Sequence, residues 1–273
     1  MHRTMHPFDS AIALAPGAST GRFSGSTTPA YANMVGPFGG TTAATLLNAA
    51  LQHPQRIGEP IALTVNFASA LAEGGFEIEA RPMRTNRSTQ HWTIELVQAG
   101  EVAATATAVF ALRRETWSMP EASAPAAPPE PERVPRPSLV GRPAWVSRYD
   151  MRFVEGDLPA RFDGELQRDS RSTLWVRDEP PRPLDFASLA ALADCFFPRV
   201  FLRRRKVVPI GTVSLTTYFH ADAAMLAEQG ENHVLGSVRA VNFRNGYFDH
   251  SGEVWSSRRE LLASTHQVVY YRE

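Results

Sequence analysis

The sequence has almost no cysteine and no net charge. Cys195 is its only cysteine among 273 residues, which excludes an internal disulfide and a metal site built from several cysteines. A single thiol also fits a reducing, cytoplasmic setting. The 28 basic and 28 acidic side chains give a formal net charge of +0. No overall field recruits nucleic acid or a membrane surface, so we expect neither as a partner.

Long apolar runs are missing as well. The short apolar run at residues 11–15 falls below the roughly 7–15 apolar residues of a secretory signal. No stretch approaches the ~20 apolar residues that span a bilayer. We therefore expect a cytoplasmic protein without membrane insertion.

Proline is concentrated in one segment. Residues 120–137 contain seven prolines among eighteen residues, which excludes a helix or a central strand and predicts an extended, semi-rigid connector. We therefore divide the chain into a first unit at 1–117, a linker at 118–144 and a second unit at 145–273.

The two units resemble each other in sequence. "LTVNFASA" (63–70) and "LTTYFHAD" (215–222) share Leu, Thr and Phe at an offset of 152 residues. "ATATAVFALR" (104–113) and "ASTHQVVYYR" (263–272) follow in the same order at an offset of 159. The shared order and nearly equal offsets indicate a duplicated unit.

Each unit has the pattern of one helix followed by four strands. The first has a helix at 39–52 and strands at 61–68, 75–85, 90–98 and 102–113. The second has a helix at 186–197, with Asp185 as N-cap and Pro198 as its end, and strands at 211–220, 233–243, 246–257 and 260–271. Both helices are apolar nearly all round, which predicts burial. The pattern indicates an α+β fold in which an antiparallel sheet wraps a central helix, twice over.

Several segments carry a family resemblance. "PFGGTTAATLL" (37–47) and "ATAVFAL" in the first half, with "LADCFFP", "GTVSLTTYFH" and "ASTHQVVYYRE" in the second, resemble the acyl-CoA thioesterase II family. The resemblance implies a double hotdog, two tandem hotdog units packed as an intramolecular pseudo-dimer. It also implies hydrolysis of acyl-CoA thioesters without a covalent intermediate. Coenzyme A is then part of the substrate, and we expect no separate cofactor and no metal.

The same resemblance assigns catalytic roles to Asp194, Thr212 and Gln267. A carboxylate can act as general base on the attacking water, which the other two side chains then orient. Burial raises the pKa of such a carboxyl, and donors to the ionised form lower it. Residues 10–58 contain no acidic side chain, so the helix of the first unit lacks an equivalent acid. We therefore expect one active site per chain and, by analogy alone, further assembly into a homo-oligomer.

Two short segments are candidates for substrate binding. Phe38, Gly39 and Gly40 lie where the first helix begins, and free N–H groups there can bind a developing oxyanion. The alternative is a tight turn into the helix. Arg203 and Arg204 belong to the basic run 203–206, which either holds the phosphates of coenzyme A or is a solvated loop.

Motifs for other kinds of catalysis are weaker in this sequence. "GASTG" (17–21) matches the nucleophile elbow of serine hydrolases, but Pro16 precedes it and no helical pattern follows. We interpret Cys195 as a small buried residue, and His220 and His266 as structural or rim residues. The alternative function is a non-catalytic acyl-thioester binding protein on the same fold.

Overall fold

The computed structural model describes residues 5–126 and 128–273. The helices are α1 (Pro7–Ala11), α2 (Gly39–Leu51), α3 (Phe186–Leu192), α4 (Arg199–Arg204) and α5 (Ala223–Gln229). The strands of the first unit are β1 (Ala15–Pro16), β2 (Arg22–Ser26), β3 (Glu59–Phe67), β4 (Gly75–Thr85), β5 (Thr89–Gln98) and β6 (Glu101–Ala111). Those of the second are β7 (Tyr149–Glu155), β8 (Ser172–Asp178), β9 (Ile210–Phe219), β10 (Val234–Arg239), β11 (Phe243–Arg244), β12 (Tyr247–Trp255) and β13 (Leu261–Tyr271). None of the helices in these ranges has the length and apolar character needed to cross a bilayer.

The strands form one antiparallel sheet that runs through both units. Its order is β1-β2-β4-β5-β6-β3-β9-β13-β12-β10-β8-β7, with β11 paired to β12. In each unit the strand that follows the central helix lies at the junction, and the last strand of the unit lies beside it. The eight predicted strands are all present, with ends that shift by at most a few residues. The predicted order is incomplete, because β1 and β2 precede α2, and β7 and β8 precede α3. This arrangement confirms the α+β double hotdog.

A pseudo-two-fold axis passes through the junction of β3 and β9. Thr64 pairs with Thr216, the residue 152 positions later that the repeat makes its equivalent. Their hydroxyl oxygens lie 3.0 Å apart. Leu63 pairs with Thr217 and Val65 with Leu215, which is the reciprocal pattern of a symmetric interface. The duplication therefore forms its own dimer-like contact within one chain.

The central helix of the first unit is enclosed on nearly every side. All residues of α2 except Gly39, Asn48 and Leu51 are buried. This burial is what the lack of a polar face predicts. It packs against α3 across the pseudo-two-fold. A methyl group at Gly40 would lie 2.6 Å from the Ala191 carbonyl oxygen, so the close approach of the two helices requires glycine there.

The predicted helix at 186–197 is wrong at its C-terminal end. Its start is confirmed, because the Asp185 carboxylate accepts a hydrogen bond from the N–H three residues later at 2.8 Å. The helix ends at Leu192, and a tight turn containing Asp194 leads to α4. Beyond Leu192 the backbone tightens, because the N–H groups of Asp194 and Cys195 donate three residues back, to Ala191 and Leu192. Asp194 therefore lies on a turn and not on the helix itself.

The proline-rich segment lies against the outer face of the sheet in the second unit. Residues 131–133 form a short 3-10 turn, and Val134 is buried with Trp175 and Trp255. The Trp175 indole N–H donates to the Pro129 carbonyl oxygen at 2.8 Å. The connector is therefore fixed to the sheet by apolar packing and hydrogen bonds.

The threonine pair at the junction gives a first prediction. Thr64→Val or Thr216→Val alone should lower the free energy of unfolding by about 1 kcal/mol, because the remaining hydroxyl loses its partner. The double variant should lose less than the sum of the two. Urea denaturation of the four proteins measures this, and strictly additive losses would contradict coupling across the junction.

Candidate active site

Asp194 and Gln267 meet where α3 ends beside β13. The Gln267 side-chain amide donates to Asp194 Oδ1 at 2.6 Å. Gln267 is 3% exposed, so its amide has little freedom to turn away. The carboxylate is thereby held through Oδ1, and Oδ2 lies beside Gly39.

The free oxygen of Asp194 faces the first turn of α2 in the other unit. A methyl group built at Gly39 would lie 2.8 Å from Asp194 Oδ2 and 3.5 Å from the Phe67 ring. Only a residue without a side chain leaves room for a water or a substrate atom beside this oxygen. Gly39 and Asp194, which the sequence separates widely, therefore form one site.

Burial controls the acidity of Asp194. Desolvation raises the pKa of this carboxyl to about 7, while the Gln267 amide and the backbone amide of Gly40 lower it. A carboxyl with this pKa is partly ionised at neutral pH and is a much stronger base than an ordinary aspartate.

Thr212 reaches the same site through a β-bulge in β9. Alternate residues from 215 to 219 are buried, and continued alternation would turn Val213 inward and Thr212 outward. The register instead shifts so that Thr212 pairs with Val269, and Val213 is exposed. The bulge thus turns Thr212 inward. It lines the cavities at the site, but among the described residues the side chain hydrogen-bonded to Asp194 is that of Gln267 and not that of Thr212.

An apolar cavity of about 240 Å³ opens beside Asp194. Gln267, Thr212 and Gly39 contribute to its wall. Its remaining wall is largely aromatic and includes Phe38, Trp145, Phe162, Phe196, Phe197 and Phe201. Phe38 stacks on Trp145 with ring centres 4.2 Å apart, so the beginning of α2 and the second unit close the cavity together.

A second cavity, of about 290 Å³, lies on the other side of Gly39 and Thr212. It is bordered by residues 67–71 and by Tyr270. Gly39 and Thr212 line both cavities, and Asp194 lines the aromatic one beside them.

Other candidates lie away from these cavities. Arg203 and Arg204 belong to α4 and do not line either cavity; Arg204 forms an ion pair with Glu273. Their contact with coenzyme A stays a prediction. Ser19 is exposed in the turn between β1 and β2, where no helix follows it, so the elbow geometry is absent there.

Two histidines considered in the sequence analysis lie on the surface, and a third histidine lies at the site. His220 and His266 are exposed, and His220 is hydrogen-bonded to Ser264. His250, which the sequence pattern did not single out, is buried and lines the cavity beside Asp194. Its position in a strand gives no sequence signal, because only the sheet places it next to Gln267. The part of the chain that the structure describes contains no cluster of three or more potential metal ligands from His, Cys, Asp and Glu.

Comparison with known proteins decides the family. A model of the acyl-CoA thioesterase N-terminal domain matches residues 28–111, and one of the acyl-CoA thioesterase C-terminal domain matches residues 120–271. The chain belongs to the acyl-CoA thioesterase family. Comparison with curated proteins returns no match.

Solved structures share the fold of this chain. A hot dog protein of unknown function from Alicyclobacillus acidocaldarius is 49% identical, with a TM-score of 0.93 over 98% of this chain and 99% of that one. A putative thioesterase II from Thermobifida fusca is 21% identical, with a TM-score of 0.83 over 99% of both chains. Acyl-CoA thioesterase II TesB2 from Mycobacterium marinum is 20% identical, with a TM-score of 0.76 over 97% of this chain and 98% of that one. The last two share the fold.

The space at Gly39 gives a second prediction. Gly39→Ala should lower kcat at least about 100-fold, because the new methyl group displaces the carboxylate of Asp194 from its position. The melting temperature should change little, because alanine favours a helix and the displaced group is a side-chain end. Release of free coenzyme A thiol from an acyl-CoA measures kcat, and thermal melting measures the stability.

Gly40→Ala is the matched control for this experiment. Its methyl group would collide with the Ala191 carbonyl and the Phe38 ring, so it should lower the melting temperature clearly. Equal effects of the two variants on stability and on kcat would contradict the separate roles of the neighbouring glycines.

Proposed function

We propose that the protein hydrolyses acyl-CoA thioesters by means of a water that Asp194 activates, without a covalent intermediate. The observation that carries the proposal is a desolvated carboxylate, fixed by Gln267, at the point where two cavities meet. Family membership supports thioester hydrolysis in general, and the geometry supports this mechanism.

Asp194 is the general base in this proposal. Gln267 holds Oδ1, so Oδ2 takes the proton as the water oxygen attacks the thioester carbon. Thr212 has a hydroxyl that both donates and accepts, which suits it to orient the water. The N–H groups at the start of α2 lie at the positive end of the helix dipole, and we assign the stabilisation of the developing oxyanion to Gly39 there.

The two cavities suit the two ends of the substrate. The aromatic cavity matches an acyl chain, because its wall offers apolar contacts. The second cavity holds Thr42, Ser69 and Asn33 in its wall, and these polar groups suit the amides of the pantetheine arm. A thioester carbon at the junction of the cavities then faces Asp194.

The proposal predicts thiol release from acyl-CoA that depends on Asp194. Asp194→Asn should lower kcat by at least about 100-fold, because the amide cannot accept the proton. Cys195→Ala is the control, since that thiol is buried and its pKa is raised, so it is not a nucleophile. A thiol reagent and a panel of acyl-CoAs measure both.

The outcomes separate the two candidate functions. Absence of thiol release from every acyl-CoA, by a folded protein that binds them, would favour the non-catalytic binder. Full activity of Asp194→Asn would contradict the mechanism and leave the family assignment intact.

The acidity of Asp194 predicts the pH dependence of the reaction. The base must be ionised, so kcat/KM should rise with pH and level off above about 7. Gln267→Leu removes a donor that lowers the pKa, so the rising limb should move to higher pH. A pH profile of kcat/KM for both proteins checks this, and a limb that moves to lower pH or stays in place would contradict the role of Gln267.

A further inference from the structure

The acyl cavity contains a polar side chain that the mechanism does not use. His250 is 2% exposed and lines the aromatic cavity. Neither of its ring nitrogens has a hydrogen-bond partner among residues 5–126 and 128–273. Buried imidazoles are normally hydrogen-bonded, so two unpartnered nitrogens at a ligand cavity call for a partner.

The sheet places His250 close to the reacting group. His250 on β12 lies directly opposite Gln267 on β13. Opposed residues of antiparallel strands project from the same face, with Cβ atoms about 4.5–5.5 Å apart. Since Gln267 holds Asp194, His250 lies beside the first few acyl carbons of a substrate whose thioester carbon faces Asp194.

The surroundings of His250 fix both its charge and its orientation. Burial lowers the pKa of His250 well below its usual value, and the nearby Arg199 guanidinium lowers it further. The ring is therefore neutral and has one donor nitrogen and one acceptor nitrogen. Its contact with the Phe248 ring, at 5.6 Å between centres, restricts rotation. The result is a neutral hydrogen-bonding group in a largely aromatic wall, to which Arg142 and Asn33 also contribute.

We propose that His250 forms a hydrogen bond with a hydroxyl or oxo oxygen on the first few carbons of the acyl chain, and so makes the protein selective for oxygen-substituted acyl-CoAs. The inference rests on the proposed function, because it places the acyl chain in the aromatic cavity. An unsubstituted alkyl chain offers the imidazole no partner, and desolvating a polar group without replacing its hydrogen bonds weakens binding. A hydroxyl restores them.

The test compares 3-hydroxybutyryl-CoA with butyryl-CoA, which differ only in that oxygen. The wild type should favour the hydroxylated substrate in kcat/KM by about tenfold or more. His250→Leu should remove this preference. The main change should be a higher kcat/KM for butyryl-CoA, which brings it to the value for 3-hydroxybutyryl-CoA. His250→Gln should retain part of it, because its amide still donates. His266→Leu, on the exposed face of β13, is the matched control and should keep the wild-type ratio.

A binding measurement distinguishes failure of this inference from failure of the proposed function. The ligands are amide analogues of the two substrates, in which NH replaces the thioester sulfur so that they are not hydrolysed. Isothermal titration calorimetry should show tighter binding of the hydroxylated analogue to the wild type, and His250→Leu should lose this preference. Absence of turnover with this preference intact would contradict the proposed function and support the role of His250. Normal turnover with equal affinities, or an unchanged ratio in His250→Leu, would overturn the inference.

Discussion

The hydrogen bond from Gln267 to Asp194 is the interaction on which the site depends. It holds a desolvated carboxylate in one orientation, with its second oxygen directed at the start of α2. Without that bond the carboxylate would be free to rotate or to be protonated at higher pH, since burial alone favours the neutral form. The acid, the amide and the glycine come from different parts of the chain, so the site exists only when the two units are joined.

Duplication explains why one chain has one such site. The junction of β3 and β9 is nearly symmetric, with Thr64 and Thr216 on its axis. The symmetry ends at the helices: the first unit supplies a glycine-rich helix start and no acid, and the second supplies the acid on a turn. Each unit thus contributes to the candidate site what the other lacks, as two subunits do at a shared site.

Sequence patterns predicted the duplicated helix-and-sheet unit and part of the site. The repeat offset and the apolar helices indicated a sheet wrapped around each central helix, because burial and strand alternation follow from local sequence. The strands that precede each central helix were missed. The inward position of Thr212 was inferred only from resemblance, since it depends on a bulge that reverses the alternation of β9. The turn at Asp194 was missed because the apolar run continues past Leu192 to Phe197, so periodicity gives no sign of an earlier helix end. His250 was missed because its significance comes from the pairing of two strands.

In the proposed mechanism Asp194 is a base whose acidity is set by burial and by Gln267. The most direct measurement is a pH titration of its carboxyl carbon by ¹³C NMR, with the resonance assigned by its absence in Asp194→Asn. We expect a pKa of about 7 for this carboxyl. A pKa in the ordinary range of an exposed aspartate, about 4, would contradict it.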